Sequence, residues 1–404
     1  MNTGDTAWVL ISSALVMLMT PAVGLFYGGM VRRKNLLSTI MFSLTILAVI
    51  SLQWVLFGYS LAFGPDHFGL IGDLSWLGLR GIGDTPNPIY ASNIPHVAFL
   101  IFQMMFAVIT PALITGAFVE RIKFSSFLLF TILWATIVYD PIAHWVWGAG
   151  GWLHSLGVLD FAGGTVVHIA SGISALAVAL VIRRRQGFGE IRMEPGNIPL
   201  TILGAVFLWM GWFGFNAGSA LGANALAAHA FLVTNTAAAA ASLAWLTIRW
   251  ALHRPSVLGA AIGGIVGLVA ITPAAGYVTP FAAILIGAIA AVISHTLTIP
   301  RQRLGIDESL DVWACHGMAG TWGAIATGLF ASKAINGAGA NGLFYGNWSL
   351  AGVQLLAVLV VWAYSFGVTW ALAKVIDRFH GLAVSEVEEY VGLDIAQHGE
   401  ATHM

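Results

Sequence analysis

The sequence predicts an all-α integral membrane fold of eleven transmembrane helices, a five-plus-five inverted repeat with one extra helix. Three observations predict it: the composition, a ladder of apolar runs, and a weak internal echo. Hydrophobic residues make up 58% of the 404 positions and charged residues 9%, against roughly 25% charge in a soluble domain. A helix needs about 20 apolar residues to cross roughly 30 Å of hydrocarbon. Within lipid only a helix of this kind or a closed barrel satisfies its own backbone.

Apolar runs between charged or Pro/Gly-rich breaks fall at about 6–31, 38–63, 94–118, 124–142, 161–182, 197–217, 224–250, 256–272, 276–298, 310–330 and 348–376. The first, from Ala7 to Val31, has no cation before Arg32 and is too long for a signal-peptide core, so it reads as a retained helix. After the second, Gly64 to Asn93 is rich in Gly, Pro and Asp and reads as a long outer loop. Before the fifth, Gly148, Gly150, Gly151, Gly157 and the Gly163-Gly164 pair break the chain, with Asp160 as N-cap of a helix starting near Phe161. In the eighth, Gly259, Gly263, Gly264 and Gly267 let helices pack closely where lipid offers no hydrophobic drive. Residues 1–376 then form one transmembrane domain, with repeat one at about 1–190, repeat two at about 197–330 and the eleventh helix at about 348–376; 377–404 is a polar, acidic tail.

Of the 17 Lys and Arg, all but Arg80 and Lys333 fall in one set of alternate loops. By the positive-inside rule the N-terminus lies outside and the C-terminus in the cytoplasm. Thr110-Pro111-Ala112 recurs as Thr272-Pro273-Ala274, and Gly24 to Gly28 loosely echoes Gly214 to Gly218, pairing spans 1–5 with 6–10. Repeats of five spans run oppositely through the bilayer, which places sites near the midplane between them.

The formal net charge of -1 and scattered cations exclude a nucleic-acid surface. The single cysteine, Cys315, allows no intrachain disulfide and no four-cysteine metal site. No metal, cofactor or enzymatic chemistry is expected.

Ionisable groups within spans are costly and mark pathways. Asp160 precedes His168 by eight residues, and Glu308 precedes His316 by the same eight, in spans that the repeat makes equivalent. Hydrogen-bonded core histidines are the bland alternative. Haem ligation by His154 and His168 is the sharper one, and the glycine-broken stretch between them argues against it. Neutral imidazole offers one donor and one acceptor, which suits a small amine stripped of its proton by desolvation. Aromatic faces with a hydroxyl would recruit the cation: Phe102, Phe106, Trp147, Phe215 and Ser219 lie on outer halves of spans or in adjoining loops. Cation–π attraction is worth roughly 0.5–2 kcal/mol per ring, though Trp also collects at bilayer interfaces without any ligand.

Asp160-Phe161-Ala162-Gly163-Gly164-Thr165-Val166-Val167-His168 resembles the signature of the ammonium transporter (Amt/Mep/Rh) family, in its bacterial and archaeal Amt type. Phe26-Tyr27-Gly28-Gly29, Phe102 to Phe106, Ala143 to Gly148, Gly211 to Ser219 and Asp311 to Gly317 resemble it too, so that the likeness covers nearly the whole chain. The resemblance implies ammonium/ammonia and methylammonium as substrates and a homotrimer with one pore per subunit in the cytoplasmic (inner) membrane. It implies recruitment at Phe106, Trp147 and Ser219, a phenyl gate of Phe106 and Phe215, a pore at His168 and His316, and support from Asp160 and Trp212. In the tail, Gly392-Leu393-Asp394 and His398-Gly399-Glu400 resemble the segment that couples subunits and meets a PII-type regulatory protein. Ala383 and Tyr390 depart from that pattern, and a solvated acidic tail is the alternative. A Rh-type neutral-gas channel and an ammonium sensor are the rival functions; the short tail disfavours a sensor.

Overall fold

Apolar segments that find no hydrogen-bond partner in lipid must close their backbone on themselves. In the computed structural model, which describes residues 1–401 apart from the side chains at 300 and 302, they do so as a multi-pass, all-α bundle. Helix α1 is Thr3–Met30; α2 runs Leu36–Gln53, passes through a π turn at Trp54–Gly58 and ends with Tyr59–Phe63; α3 is His96–Ile114. Helix α4 joins Phe124–Trp134, a π turn at Ala135–Tyr139 and Asp140–Trp147, and α5 joins a π turn at Gly164–Ile169 to Ala170–Ala179. Ile198–Gly218, Ala225–Leu252, Val257–Ile271 and Pro280–Arg303 are α6 to α9. The π turn Trp313–Met318 with Ala319–Phe330 is α10, and Trp348–Phe379 is α11. Among the described residues, eight helices are long and apolar enough to cross a membrane, with Gly164–Ala179 and Val257–Ile271 as shorter apolar ones.

Several boundaries differ from the sequence reading by three to five residues, the ninth run at both ends (Pro280–Arg303 against 276–298), and three of them bear on the site. The fifth run begins at Gly164, not Phe161, because Asp160 caps it across a non-helical turn. The tenth begins at Trp313, not 310, because Glu308 plays the same part there. The fourth continues past 142 to Trp147, and within this extension His144 has its ring nitrogens engaged by Ala62 O at 3.0 Å and Asp66 Oδ1 at 2.8 Å. Asp66 belongs to a two-strand hairpin, β1 (Asp66–His67) against β2 (Ile71–Gly72), in the 64–93 loop.

Helix α1 lies along α6, and α7 packs against α8 and α9. Helices α5 and α10 cross where Gly172 faces Gly317; a Cβ at Gly172 would overlap the Gly317 backbone nitrogen. That crossing fixes the separation of the two histidine-bearing turns, which begin a few residues earlier on each helix.

The tail does not float in solvent. Lys123 N donates to Leu382 O and Val384 N to Arg121 O, both at 2.9 Å, stitching the tail to the α3–α4 loop. Two short helices follow, α12 (Glu386–Val391) and α13 (Leu393–His398). Asp394 accepts from Leu37 N at 3.0 Å and Ser38 N at 2.8 Å, so its carboxylate satisfies free amides at the start of α2. Glu389 accepts from Gln186 N at 2.7 Å and pairs with Arg183 at 2.6 Å. Beneath it, Arg185 bridges Glu120 and Asp307, each at 2.6 Å, and Glu120 also binds Arg32 at 2.8 Å. Burial pushes the Glu120 and Asp307 carboxyls up, but the guanidinium of Arg185, with Arg32 on Glu120 and Arg121 on Asp307, outweighs this and holds both below their ordinary values.

Candidate functional site

Two buried acids start the two turns that carry the histidines. Asp160 Oδ1 accepts from Gly163 N at 2.7 Å and Gly164 N at 2.6 Å, and Oδ2 accepts from Thr165 N at 2.7 Å and the Thr165 hydroxyl at 2.5 Å. Gly163 sits at φ +112°, a left-handed conformation open to glycine and strained for other residues. Eight residues before His316, Glu308 accepts from Val312 N at 2.5 Å and Trp313 N at 3.1 Å. Both caps lead into π turns, which widen the helix by one residue and recur at functional sites. His168 and His316 project from these turns.

The two imidazoles meet. Their Nδ1 atoms lie 3.2 Å apart and their ring centres 5.3 Å apart at 29°, and both rings are buried. A single proton occupies that Nδ1···Nδ1 bond, so one ring donates and the other accepts. Trp212 stacks on His168 at 5.4 Å and 21°. Its indole is held by the Thr272 hydroxyl at 2.9 Å. His168 Nε2 is buried with no hydrogen-bond partner among the described residues, a polar atom left for a small donor or acceptor.

Cavities approach the pair from both ends. On the face opposite the tail, a cavity of about 360 Å³ is lined by Phe102, Gln103, Phe106, Trp147, Asp160 and Ser219, among others. Trp147 Nε1 donates to Asp160 O at 2.9 Å, which ties the indole to the cap of α5. The Phe106 ring stands edge-on to Trp147 at 5.8 Å and 89°. The Ser219 hydroxyl donates to Phe215 O at 2.8 Å, leaving its lone pairs to accept. Below this chamber Phe106 and Phe215 stack at 4.3 Å and 27°, both buried. Next comes a space of about 10 Å³ touching Phe215, Trp212, His168 and His316, about the room one water needs. A third cavity, of about 220 Å³, begins at His316 and runs past Cys315 and Asp311 on the tail side.

The sequence-predicted site residues thus follow one another: Phe106, Trp147 and Ser219 at one end with Asp160 in the same cavity wall, Phe215 next, then His168 with His316 beside Trp212. His154 also borders the first cavity, on a separate helical turn, Trp152–Ser155, and so does not share a helix with His168. Among the described residues no group of three or more His, Cys, Asp or Glu could hold a metal ion. Sequence reasoning missed Phe26 and Tyr27, which line both the narrow space and the tail-side cavity. They stood in a recognised motif, but no polar pattern pointed to them. It also missed Thr272 as the anchor of Trp212; the Thr-Pro-Ala echo marked the position only as a sign of repetition.

The chain matches the family described as Ammonium Transporter Family over residues 7–403. It is 50% identical to the ammonium transporter of Bacillus subtilis over 406 residues, covering 100% of this chain and 99% of that one. It is likewise 50% identical to ammonium transporter Amt1 of Archaeoglobus fulgidus over 403 residues, covering 100% of both. The crystal structure of Candida albicans Mep2 superposes with a TM-score of 0.91 at 36% identity, covering 96% of this chain and 88% of that one. On its sequence, its fold and the full-length reach of these matches, the chain belongs to the Ammonium Transporter Family.

Proposed function

We propose that this chain carries ammonium/ammonia across the cytoplasmic membrane: ammonium is captured outside, loses its proton, and passes as ammonia between the histidines. One observation carries the reading: the three cavities form a line interrupted only by two stacked phenyl rings and a pair of buried imidazoles. Trp147 and Phe106 offer π faces to a cation and Ser219 an oxygen acceptor, together worth a few kcal/mol at most, enough to concentrate ammonium without trapping it. Entering the dry space beyond the rings costs the charged form its hydration, so ammonium arrives there as ammonia. His168 and His316 then supply a donor and an acceptor in place of water, and Phe106 with Phe215 opens transiently to admit it. Methylammonium, one methyl larger, is the natural surrogate. Rings built for cation capture support this reading over a neutral-gas pore.

Eleven spans in two inverted repeats of five, N-terminus outside and C-terminus in the cytoplasm, fit the bundle and the cation bias. Matched caps and π turns before His168 and His316 support the repeat. The docked tail offers a cytoplasmic surface for a PII-type protein, and three copies of the chain, each with its own pore, form the assembly.

Replacing His168 and His316 together with alanine tests the route. In proteoliposomes the variant should take up methylammonium at least about tenfold more slowly, the effect expected from stranding a desolvated amine by about 1.4 kcal/mol or more. Full uptake by a folded double variant would refute the role of the pair.

A further inference from the structure

Glu308 is not on the route, yet it is fully buried directly behind the wall of the tail-side cavity. Its carboxylate accepts from Val312 N at 2.5 Å and Trp313 N at 3.1 Å, the amides that open the π turn of α10. That turn supplies Cys315 and His316 to the cavity wall, next to Val312 and Asp311. The cap is thinner than its counterpart: Asp160 holds three backbone amides and a hydroxyl within 2.7 Å, whereas Glu308 holds two amides and no side chain. It is also beside a like charge. Asp311, on the same segment at φ +58°, binds Arg301 Nε of α9 at 2.6 Å and lines the cavity. Tyr27 of α1 and Cys315 of α10 complete the titratable groups facing Glu308. Asp307, next in the chain, is turned away into Arg121 and Arg185.

We propose that Glu308 is a positioning residue for His316, and that its protonation from the cytoplasmic side slows conduction. The ionised carboxylate accepts from both amides; a proton on it replaces one acceptor by an O–H, so one amide of the turn is left unpaired and the turn relaxes. His316 then leaves the 3.2 Å contact that it makes with His168. The working range follows from the surroundings. Burial, then the charge of Asp311, push the Glu308 carboxyl up to about 7, against the opposing pull of Arg301 and of the two capping amides. From one unit above that value to one unit below it, the ionised fraction falls about tenfold. The inference rests on the transport reading above and adds a cytoplasmic brake to it.

The test uses the full chain in liposomes, with external pH fixed and internal pH stepped across that range, reading initial methylammonium uptake. The wild-type rate should fall severalfold, up to about tenfold, as the interior is acidified. Glu308→Gln, which keeps one acceptor oxygen and cannot ionise, should run at one reduced rate with less than about a twofold change over the same range. Arg301→Gln removes the charge that opposes protonation, so its midpoint should move to higher pH; this arm stands even where the Glu308 variant fails to fold. A wild-type rate that ignores internal pH, a Glu308→Gln profile that follows the wild type, or an Arg301→Gln midpoint that stays put or moves down would each overturn the proposal. Absence of wild-type uptake at every internal pH would remove the transport reading, and the brake with it; uptake with an unaltered profile removes the brake alone.

Discussion

Replacing Asp160 separates two ways in which a carboxylate beside the proposed cation-recruiting chamber can act. All the close contacts of Asp160 are with the protein: three backbone amides and the Thr165 hydroxyl, between 2.5 and 2.7 Å. Asp160→Ala strands the amides of Gly163, Gly164 and Thr165, each costing about 1–3 kcal/mol when buried without a partner. The upper end of that sum does not apply, because Asp160 lines the first cavity and water can reach part of the site. A loss of about 3–5 kcal/mol is expected. Asp160→Asn keeps one acceptor but turns an NH₂ toward amides that need to donate, so about half the loss, roughly 2 kcal/mol, should remain. Trp147 hangs from the Asp160 carbonyl at 2.9 Å, so the chamber and the His168 turn should loosen together. Thermal unfolding in detergent and methylammonium kinetics in proteoliposomes give the readout: a lowered midpoint, a lower maximal rate and weakened apparent affinity, in the order Ala, Asn, wild type. If Asp160→Ala keeps its midpoint and maximal rate and weakens affinity alone, the carboxylate contacts the cation directly and the capping account is wrong.

Three further expectations follow from the packing and charge. Gly172→Ala forces α5 from α10 at the backbone of Gly317; overpacking of this kind costs about 1–3 kcal/mol, and uptake should fall more than the melting temperature suggests, since the histidines lie just beyond the crossing. Asp394→Ala removes the acceptor for Leu37 N and Ser38 N, worth about 1 kcal/mol as a helix cap, and should make the tail several times more susceptible to limited proteolysis while leaving the transmembrane helices intact. Glu120 and Asp307 have folded values below the ordinary carboxylate range. Their contribution is therefore complete above the unfolded value, about 4, and is lost as pH falls through the lower folded values. Melting temperature should drop on acidification through that window, and Glu120→Gln should be less stable at neutral pH with a shallower acid loss; an equally steep loss would place the acid-labile contact elsewhere.

How much of this was legible depended on the range over which each feature acts. The histidine pair could be read because its spacing from an acid is local and repeated; that the acids cap π turns could not, since a π turn differs from an α turn by where one residue is accommodated, not by composition. The contact of Phe106 with Phe215 joins helices far apart in the chain, and only the family resemblance singled it out. The same holds for Trp147 and Ser219, which in isolation look like interfacial residues. Arg121, Arg185 and Arg301 entered the sequence reading only as cations of one side, yet all three are buried in ion pairs with Asp307 or Asp311. Charge patterning tells which side of a bilayer a cation favours and is silent on whether it is solvated there. For the tail the useful signal lay in Leu393 and Asp394, both buried, within a segment whose average composition reads as exposed.

The Nδ1···Nδ1 contact gives the proposed pore a polarity of its own. With one proton between the rings, the two histidines adopt opposite tautomers, and the orientation of one dictates that of the other. A neutral molecule slipping past leaves this arrangement as it found it, and the next can follow at once. A proton handed along the rings reverses both tautomers, and the pair must be turned back before it can repeat the handover. On the proposed route, passage of ammonia is thus memoryless, while any proton current through the same two rings would be paced by a reset step.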